Sequence, residues 1–383
     1  MKMLPQFYQT CFEKLLTPTQ YKMLQILVML LQFHKTVTIE RLATVFPQPI
    51  LFESRRRSLQ RFLSSPQLSI QLLWFPLLKR WVKLKNRKKG NRLTFAIDRT
   101  QWRHQNVFVI SLIEDKRAIP VYWQILPKQG CSNLRKQKEL IRPLLRVFNK
   151  YKLLVLGDRE FHSVKLADWL HSKKIDFVLR QKKDTYICQE NQSYQRLETL
   201  GLVPGVSFFL SDIQATKQKG FGKFNLARYH PRRYRGKVEP SGWYLLTNLS
   251  SLKAAIKAFK CRSGIEAMFK DCKTGGYNLE ASHATNNRLI ALILLIAIAY
   301  SCVVLSGRQV RQMGLQKYVG RLQELQRIQR RHSAFWVGLY GCLWVGAIEF
   351  WQNLAAELMC LKPHKLPYFK RGLRAMALIQ SAF

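Results

Sequence analysis

The stretch Phe259–Lys273, FKCRSGIEAMFKDCK, decides how the rest of the chain is read. Wound as a helix at about 100° per residue, it and the turn before it sort into three faces. Ala254, Ala258, Cys261, Ile265, Met268, Phe269 and Cys272 form an arc wide enough to face a core. Lys253, Lys257, Lys260, Ser263 and Ala267 lie opposite. Between them runs a narrow stripe of Phe259, Arg262, Glu266 and Lys273, a carboxylate flanked by two cations beside an apolar face. Alone, Arg262 and Glu266 read as an i,i+4 ion pair on a solvated face. Two aspartates upstream give the stripe a second meaning.

Strand signals, rich in β-branched and aromatic residues, begin at LTFAID (93–98) and continue through NVFVISLIE (106–114) and AIPVYWQIL (118–126). A helix over 133–150 follows. Then comes the nearly continuous apolar run KLLVLGD (152–158), as expected of a strand buried on both faces. A helix over 163–172 and the strand IDFVLRQ (175–181) complete the series. Three meandering strands followed by helix, strand, helix, strand is the order of an α/β, RNase H-like core. In that fold strands one and four are neighbours, which sets Asp98 and Asp158 side by side at their ends. An ionised aspartate ending an apolar strand is costly without a positive partner. Arg99 or Arg159 could serve, or a hard divalent cation shared by several carboxylates.

The chain carries 64 Lys and Arg against 22 Asp and Glu, a net charge of +42. Such an excess points to a polyanion. Spread over the whole sequence rather than concentrated beside one apolar segment, it favours nucleic acid over a membrane surface. Hydrophobic content of 47% excludes global disorder. The eight cysteines include no C-x-x-C pair, so zinc ligation has no support. With no signal-peptide pattern at the N-terminus, reduced thiols in a cytoplasm are expected.

Five regions are expected. Residues 1–90 read as a helical, basic DNA-binding region in which SRRRSLQRFL (54–63) is a helix-turn-helix candidate or a solvated basic helix. The core occupies 91–183 and 243–306, interrupted by a β-rich insertion over 184–242. In the insertion Lys217, Lys219, Lys223, Arg228, Arg232, Arg233, Arg235 and Lys237 interleave with Phe221, Phe224, Tyr229 and Tyr234. That pattern suits phosphate tracking and base stacking, or alternatively an exposed hairpin with ordinary core aromatics. Leu289–Leu305 is apolar but shorter than the ~20 residues of a membrane span, and reads as a buried core helix. Residues 307–383 are helical and basic.

The segments AID98RTQW and GD158REF, with Phe259-x2-Arg262-x3-Glu266-x6-Lys273, resemble the DDE transposases of bacterial insertion sequences of the insertion-sequence-four type. That family carries a Tyr-x2-Arg-x3-Glu-x6-Lys signature; Phe259 stands where it has Tyr, so the resemblance implies a DNA contact from this ring without the hydroxyl. The resemblance spans roughly 93–305. It implies a catalytic triad of Asp98, Asp158 and Glu266 holding two Mg²⁺ ions, with Mn²⁺ as a substitute. The ions would activate water or a 3′-hydroxyl and stabilise the leaving oxygen. It also implies phosphate contacts from Arg262, Lys273 and the neighbouring Lys270, and a Trp243 that stacks on a flipped base as a cut end closes into a hairpin. Partners would be duplex DNA, at terminal inverted repeats and target, and a second protomer, in a bacterial nucleoid and not at a membrane. An RNase H-like nuclease without strand transfer and an inactive DNA-binding relic are the competing readings.

Overall fold

The computed structural model describes residues 4–85, 92–115, 117–127, 129–189, 193–201, 203–218, 220–231, 242–284, 286–323 and 331–383. These form two compact units, one of Trp81–Phe269 and one of Met1–Arg80 with Lys270–Phe383.

The Trp81–Phe269 unit is built on one mixed sheet of ten strands. Its strands are β1 (Arg92–Trp102), β2 (Gln105–Glu114), β3 (Arg117–Ile125), β4 (Lys152–Gly157), β5 (Asp176–Arg180), β6 (Tyr186–Cys188), β7 (Gln195–Arg196), β8 (Ser207–Ala215), β9 (Phe224–Tyr229) and β10 (Trp243–Thr247). The order across the sheet is β3-β2-β1-β4-β5-β10-β9-β8-β6-β7. Strands β1, β4 and β5 run parallel; β2 and β3 are antiparallel neighbours joined by short turns. Helices Leu134–Val147 and Val164–Ser172 link β3 to β4 and β4 to β5. The first is started by Asn133, whose side chain accepts from the Lys136 N–H at 2.9 Å. Leu153–Gly157 of β4 is buried throughout, as its unbroken apolar run requires.

Two expectations about this unit need correction. Asp98 does not end its strand: β1 continues to Trp102, with Thr100 and Trp102 turned inward, and reverses at Arg103, which adopts φ 49°. The parallel ladder with β4 does end there, at Ile97 opposite Gly157, so Asp98 and Asp158 are the next residues on adjacent strands. Nor is 252–272 one helix. Helix Leu252–Lys260, capped by Ser251, stops at a turn through Cys261 and Arg262, and a second helix covers Ser263–Cys272. Ser263 and Gly264 are weak helix formers. Gly264 also lies against the Arg117 backbone, where a Cβ would stand 3.1 Å from the carbonyl carbon. The turn rotates the first helix relative to the wheel. Ala255 and Phe259 are buried in place of Ala254 and Ala258, while Ile265, Met268 and Cys272 are buried as the pattern requires.

The insertion extends the sheet rather than standing apart from it. β10 pairs with β5 on one side and β9 on the other. Arg228 and Phe224, read as parts of a DNA track, are instead interior. Arg228 is 2% exposed, packs over Phe208 and donates to the Leu200 carbonyl. Phe224 packs edge-on against Phe177 at 5.4 Å. Both lie on a strand with neighbours on either side, so their side chains are drawn into packing. Arg232, Arg233 and Arg235 fall outside the described residues.

The other unit is helical. Helix Pro18–His34 opens with a capping box between Thr17 and Gln20. Helix Asn286–Gln312 is long and apolar enough to cross a membrane by length and composition, and 89% of its most apolar window is buried inside the protein. That burial is a core helix's, and the helix runs well past the expected Leu289–Leu305. Tyr8 donates to Ser301 at 2.8 Å, and helix Ala334–Phe350 crosses it at Gly307 and Gly338.

Candidate active site

At the end of the β1–β4 ladder three carboxylates gather on one guanidinium. Arg262 stands 3.2 Å from Asp98 and 3.4 Å from Asp158, and also pairs with Glu266 one turn along its helix. The Arg262 side chain is only 10% exposed, whereas that of Glu266 is 57% exposed. The helical wheel sets Arg262 on the border between the apolar and solvent faces; with the turn at Cys261 it is buried instead. Thus the i,i+4 ion pair is present, but as one limb of a larger cluster. Each aspartate also accepts from the next residue's backbone N–H at 2.8 Å, from Arg99 and from Arg159. Arg180, at the end of β5, stands 3.6 Å from Asp158. Burial, then the nearby Arg159, lowers its pKa from the ordinary value.

The Arg99 side chain, a candidate partner for Asp98, goes elsewhere. Its Nε donates to both oxygens of Glu160 at 3.0 and 3.1 Å, and Glu160 also accepts from the Ser132 N–H and hydroxyl at 2.9 Å. This network ties β1, the turn after β4 and the loop before Leu134–Val147 together around the aspartates. The sequence signal was present: Arg99 follows Asp98, and Glu160 lies two residues after Asp158. Arg180 and Ser132 carried no such signal.

Below the guanidinium lies an aromatic cluster. Phe259 is 5.9 Å from the Arg262 guanidinium carbon and packs edge-on against Trp243 at 5.0 Å; Trp243 meets Tyr229 at 5.3 Å. Phe259 is 4% exposed, so against expectation its ring is not presented to DNA and supports the site from within, while Trp243 is only half-buried. Lys270 is exposed, and Lys273 pairs with Glu280 at 2.7 Å in the helical unit.

Among the described residues no three His, Cys, Asp or Glu side chains are grouped so as to hold one metal ion. The donor set nevertheless fits a hard cation: three oxygen-donor side chains already share one positive charge, and two of them sit at neighbouring strand positions.

The family model described as "Transposase DDE domain" matches residues 91–302, more than half of the chain and the whole of this site. The chain belongs to the DDE transposase family. No curated protein matches it. Among solved structures it is similar to a cryo-EM structure of the piggyBac transposase synaptic complex with hairpin DNA. That match has 15% identity and a TM-score of 0.42, over 95% of this chain and 78% of that one. Family membership makes the protein a phosphoryl-transfer enzyme of DNA transposition, of a kind that generally uses divalent metal ions.

In this transposase the electrostatics of Asp98 lead to a measurable pH dependence. Burial, opposed by Arg262 and the Arg99 N–H and reinforced by Asp158 and Glu266, raises its pKa from 3.8 to about 6. Between those values the folded protein binds more protons than the unfolded chain, so the contribution of Asp98 to stability declines as pH rises from about 4 through 6. The ionised form then costs the metal-free fold on the order of 1–3 kcal/mol. Asp98→Asn is expected to melt close to wild type at pH 4 and several degrees higher at pH 7 in chelator. Equal melting temperatures at both values would show that Asp98 ionises without penalty.

Proposed function

We propose that Asp98, Asp158 and Glu266 are the catalytic carboxylates of an RNase H-like, insertion-sequence-four-type transposase of bacterial origin. It would cut double-stranded DNA at transposon terminal inverted repeats and join the freed 3′ ends to target DNA, excising the element through a hairpin. The convergence of these three side chains on Arg262 at the end of the β1–β4 ladder, inside the matched segment, carries this reading. The sheet order β3-β2-β1-β4-β5 supports the RNase H-like assignment.

The same three carboxylates would hold two Mg²⁺ or Mn²⁺ ions. When bound, these supply Lewis-acid stabilisation of the leaving oxygen and lower the pKa of an attacking water or 3′-hydroxyl. The protein's own contribution is to hold the carboxylates. The Arg99 and Arg159 N–H groups orient Asp98 and Asp158, and Arg180 and the Arg99–Glu160–Ser132 network brace the loops that carry them. Arg262 offers a planar fork of donors to two anionic claimants, these carboxylates and a DNA phosphate. Exposed Lys270 would supply a further phosphate contact, and Lys273 would do so on exchanging Glu280 for a phosphate. Trp243, half-buried at the head of β10, keeps part of its ring available for stacking on an unpaired base, which contributes ~1–3 kcal/mol.

Two protomers would serve the two ends. Residues 333–361 include no Lys or Arg in a chain of +42, and they expose Phe350, Trp351, Leu354, Leu358 and Leu361. Like-charged copies can meet there without apposing cations. In a reducing bacterial cytoplasm the chain's eight cysteines would stay thiols.

A labelled terminal-repeat duplex incubated with protein, Mg²⁺ and target plasmid tests the proposal. Nicked, hairpin and strand-transfer products are expected in sequence, with Trp243→Ala slowing the hairpin while sparing the first nick. Nicks without strand transfer would instead identify a nuclease, and no nicking an inactive relic.

A further inference from the structure

Helix Phe52–Leu63 carries four arginines, and the structure divides them into two pairs. Arg55 donates to the Thr44 carbonyl at 3.3 Å, and Arg56 pairs with Glu53 at 3.4 Å and Glu40 at 3.6 Å. Both are engaged in holding this helix to Ile39–Thr44 and to itself. Arg57 and Arg61 are exposed and, among the described residues, meet no carboxylate. With Ser54 and Ser58 they follow the i, i+3, i+4, i+7 spacing of one helix face. Leu59, Phe62 and Leu63 bury the other. A third guanidinium comes from the far end of the sequence. Arg288, in the first turn of helix Asn286–Gln312, donates through Nε to Ser64 at 3.3 Å. Together these residues line a groove of about 680 Å³ whose walls include no Asp or Glu.

We propose that this groove, formed by Arg57, Arg61 and Arg288 with the hydroxyls of Ser54, Ser58 and Ser64, is a phosphate clamp for the backbone of duplex DNA. It lies in the helical unit and shares no residue with the carboxylate site. The proposal rests on the transposase reading and adds a second, non-catalytic contact to it. Three guanidiniums with no internal counter-charge have few stable partners other than phosphates, which accept their paired N–H groups. The hydroxyls add donors of the kind that backbone contacts use. No aromatic ring lines the groove, so base stacking has no platform there. Contacts of guanidiniums and hydroxyls to phosphate fix the register of a duplex and carry no sequence information themselves. Because Arg288 joins it from another helix, its geometry depends on the folded unit and not on the basic helix alone.

The test uses the full-length protein in chelator, so that binding is read without cleavage. The probes are two fluorescent 30-base-pair duplexes, one a terminal repeat and one scrambled, titrated by anisotropy across a salt series. Each of Arg57→Ala, Arg61→Ala and Arg288→Ala is expected to reduce the slope of log K against log salt by about 0.9, equally on both duplexes. The triple variant is expected to bind at least ~10-fold more weakly at physiological salt, while Arg56→Ala, whose side chain is already paired, keeps the wild-type slope. Arg57→Glu, should weaken binding further than Arg57→Ala if the clamp holds phosphate. Wild-type slopes in all three alanine variants, with wild-type protein binding normally, would overturn the clamp and leave the transposase reading standing. A loss confined to the terminal repeat would overturn it in favour of base reading. A loss of binding to phosphatidylglycerol vesicles with DNA binding unchanged would overturn it in favour of a lipid headgroup site. Failure of the wild-type protein to bind either duplex would count against the transposase reading itself.

Discussion

Asp98→Asn, Asp158→Asn and Glu266→Gln are each expected to lower metal-dependent end cleavage by at least ~10³-fold, because groups acting as one catalytic unit fail together when any is removed. Affinity for the uncut end in chelator should change by no more than about twofold. The physical reason is a division of labour within one chain. The carboxylates carry negative charge and cannot attract DNA phosphates, whereas 64 Lys and Arg residues supply the attraction. The three variants differ in their effect on the fold. Asp98 is the most enclosed of the three, with 23% of its side chain exposed against 33% for Asp158 and 57% for Glu266. Neutralising it relieves a buried charge; neutralising Glu266 removes only a partly solvated limb of the Arg262 cluster. Circular-dichroism melts beside a gel assay of nicking separate the two effects. Wild-type nicking by any one variant would take that residue out of the catalytic set.

The second large effect belongs to the helical unit. Gly307→Ala and Gly338→Ala are each expected to lower the melting temperature of the helical unit by ~5–10 °C, through overpacking of about 3 kcal/mol. The two helices touch backbone to backbone at this crossing. A Cβ on Gly307 would fall 1.8 Å from the Ala334 carbonyl oxygen, and one on Gly338 would fall 2.0 Å from that of Val303. Neither obstacle is a side chain that can rotate away, so the helices must separate. Around the crossing Val310, Val337, Cys342 and Val345 form a continuous core that separation would loosen. Gly372, within helix Leu366–Ser381, is the control. Nothing lies within 4 Å of its would-be Cβ. There alanine should stabilise by about 0.5–1 kcal/mol through helix propensity. If all three substitutions melted alike, the close crossing would not be present in solution.

Much of the architecture was legible because it rests on short-range patterns. The unbroken apolar run before Asp158 marks a strand with neighbours on both faces, and β4 lies between β1 and β5. Strand order places Asp98 beside Asp158, and the parallel register delivers them as consecutive positions past Ile97 and Gly157. Ser251 was readable as a cap, and Ile265, Met268 and Cys272 as a buried face. The Phe259–Lys273 signature picked out Arg262 and Glu266 with no knowledge of their surroundings.

What periodicity could not supply was any contact between segments distant in the chain. The helical wheel assumes an uninterrupted helix. The turn at Cys261 and Arg262, where Gly264 abuts the Arg117 backbone, broke that assumption and moved Phe259 and Arg262 from the border stripe to the interior. Basic residues look alike in sequence whether they meet DNA or pack inside. Arg228 belongs to a strand paired on both sides and is buried; Arg55 and Arg56 are half-buried against a carbonyl and two carboxylates, whereas Arg57 and Arg61 are exposed and meet no carboxylate among the described residues. The sequence by itself therefore determined the order of elements and the residue types of the carboxylate set, since propensity and patterning act over a few residues. Only the tertiary structure decided which cations neutralise that set, which are interior and which remain for a polyanion. Those are questions of charge and desolvation between residues as far apart as Asp98 and Arg262, and they are settled by distance in space.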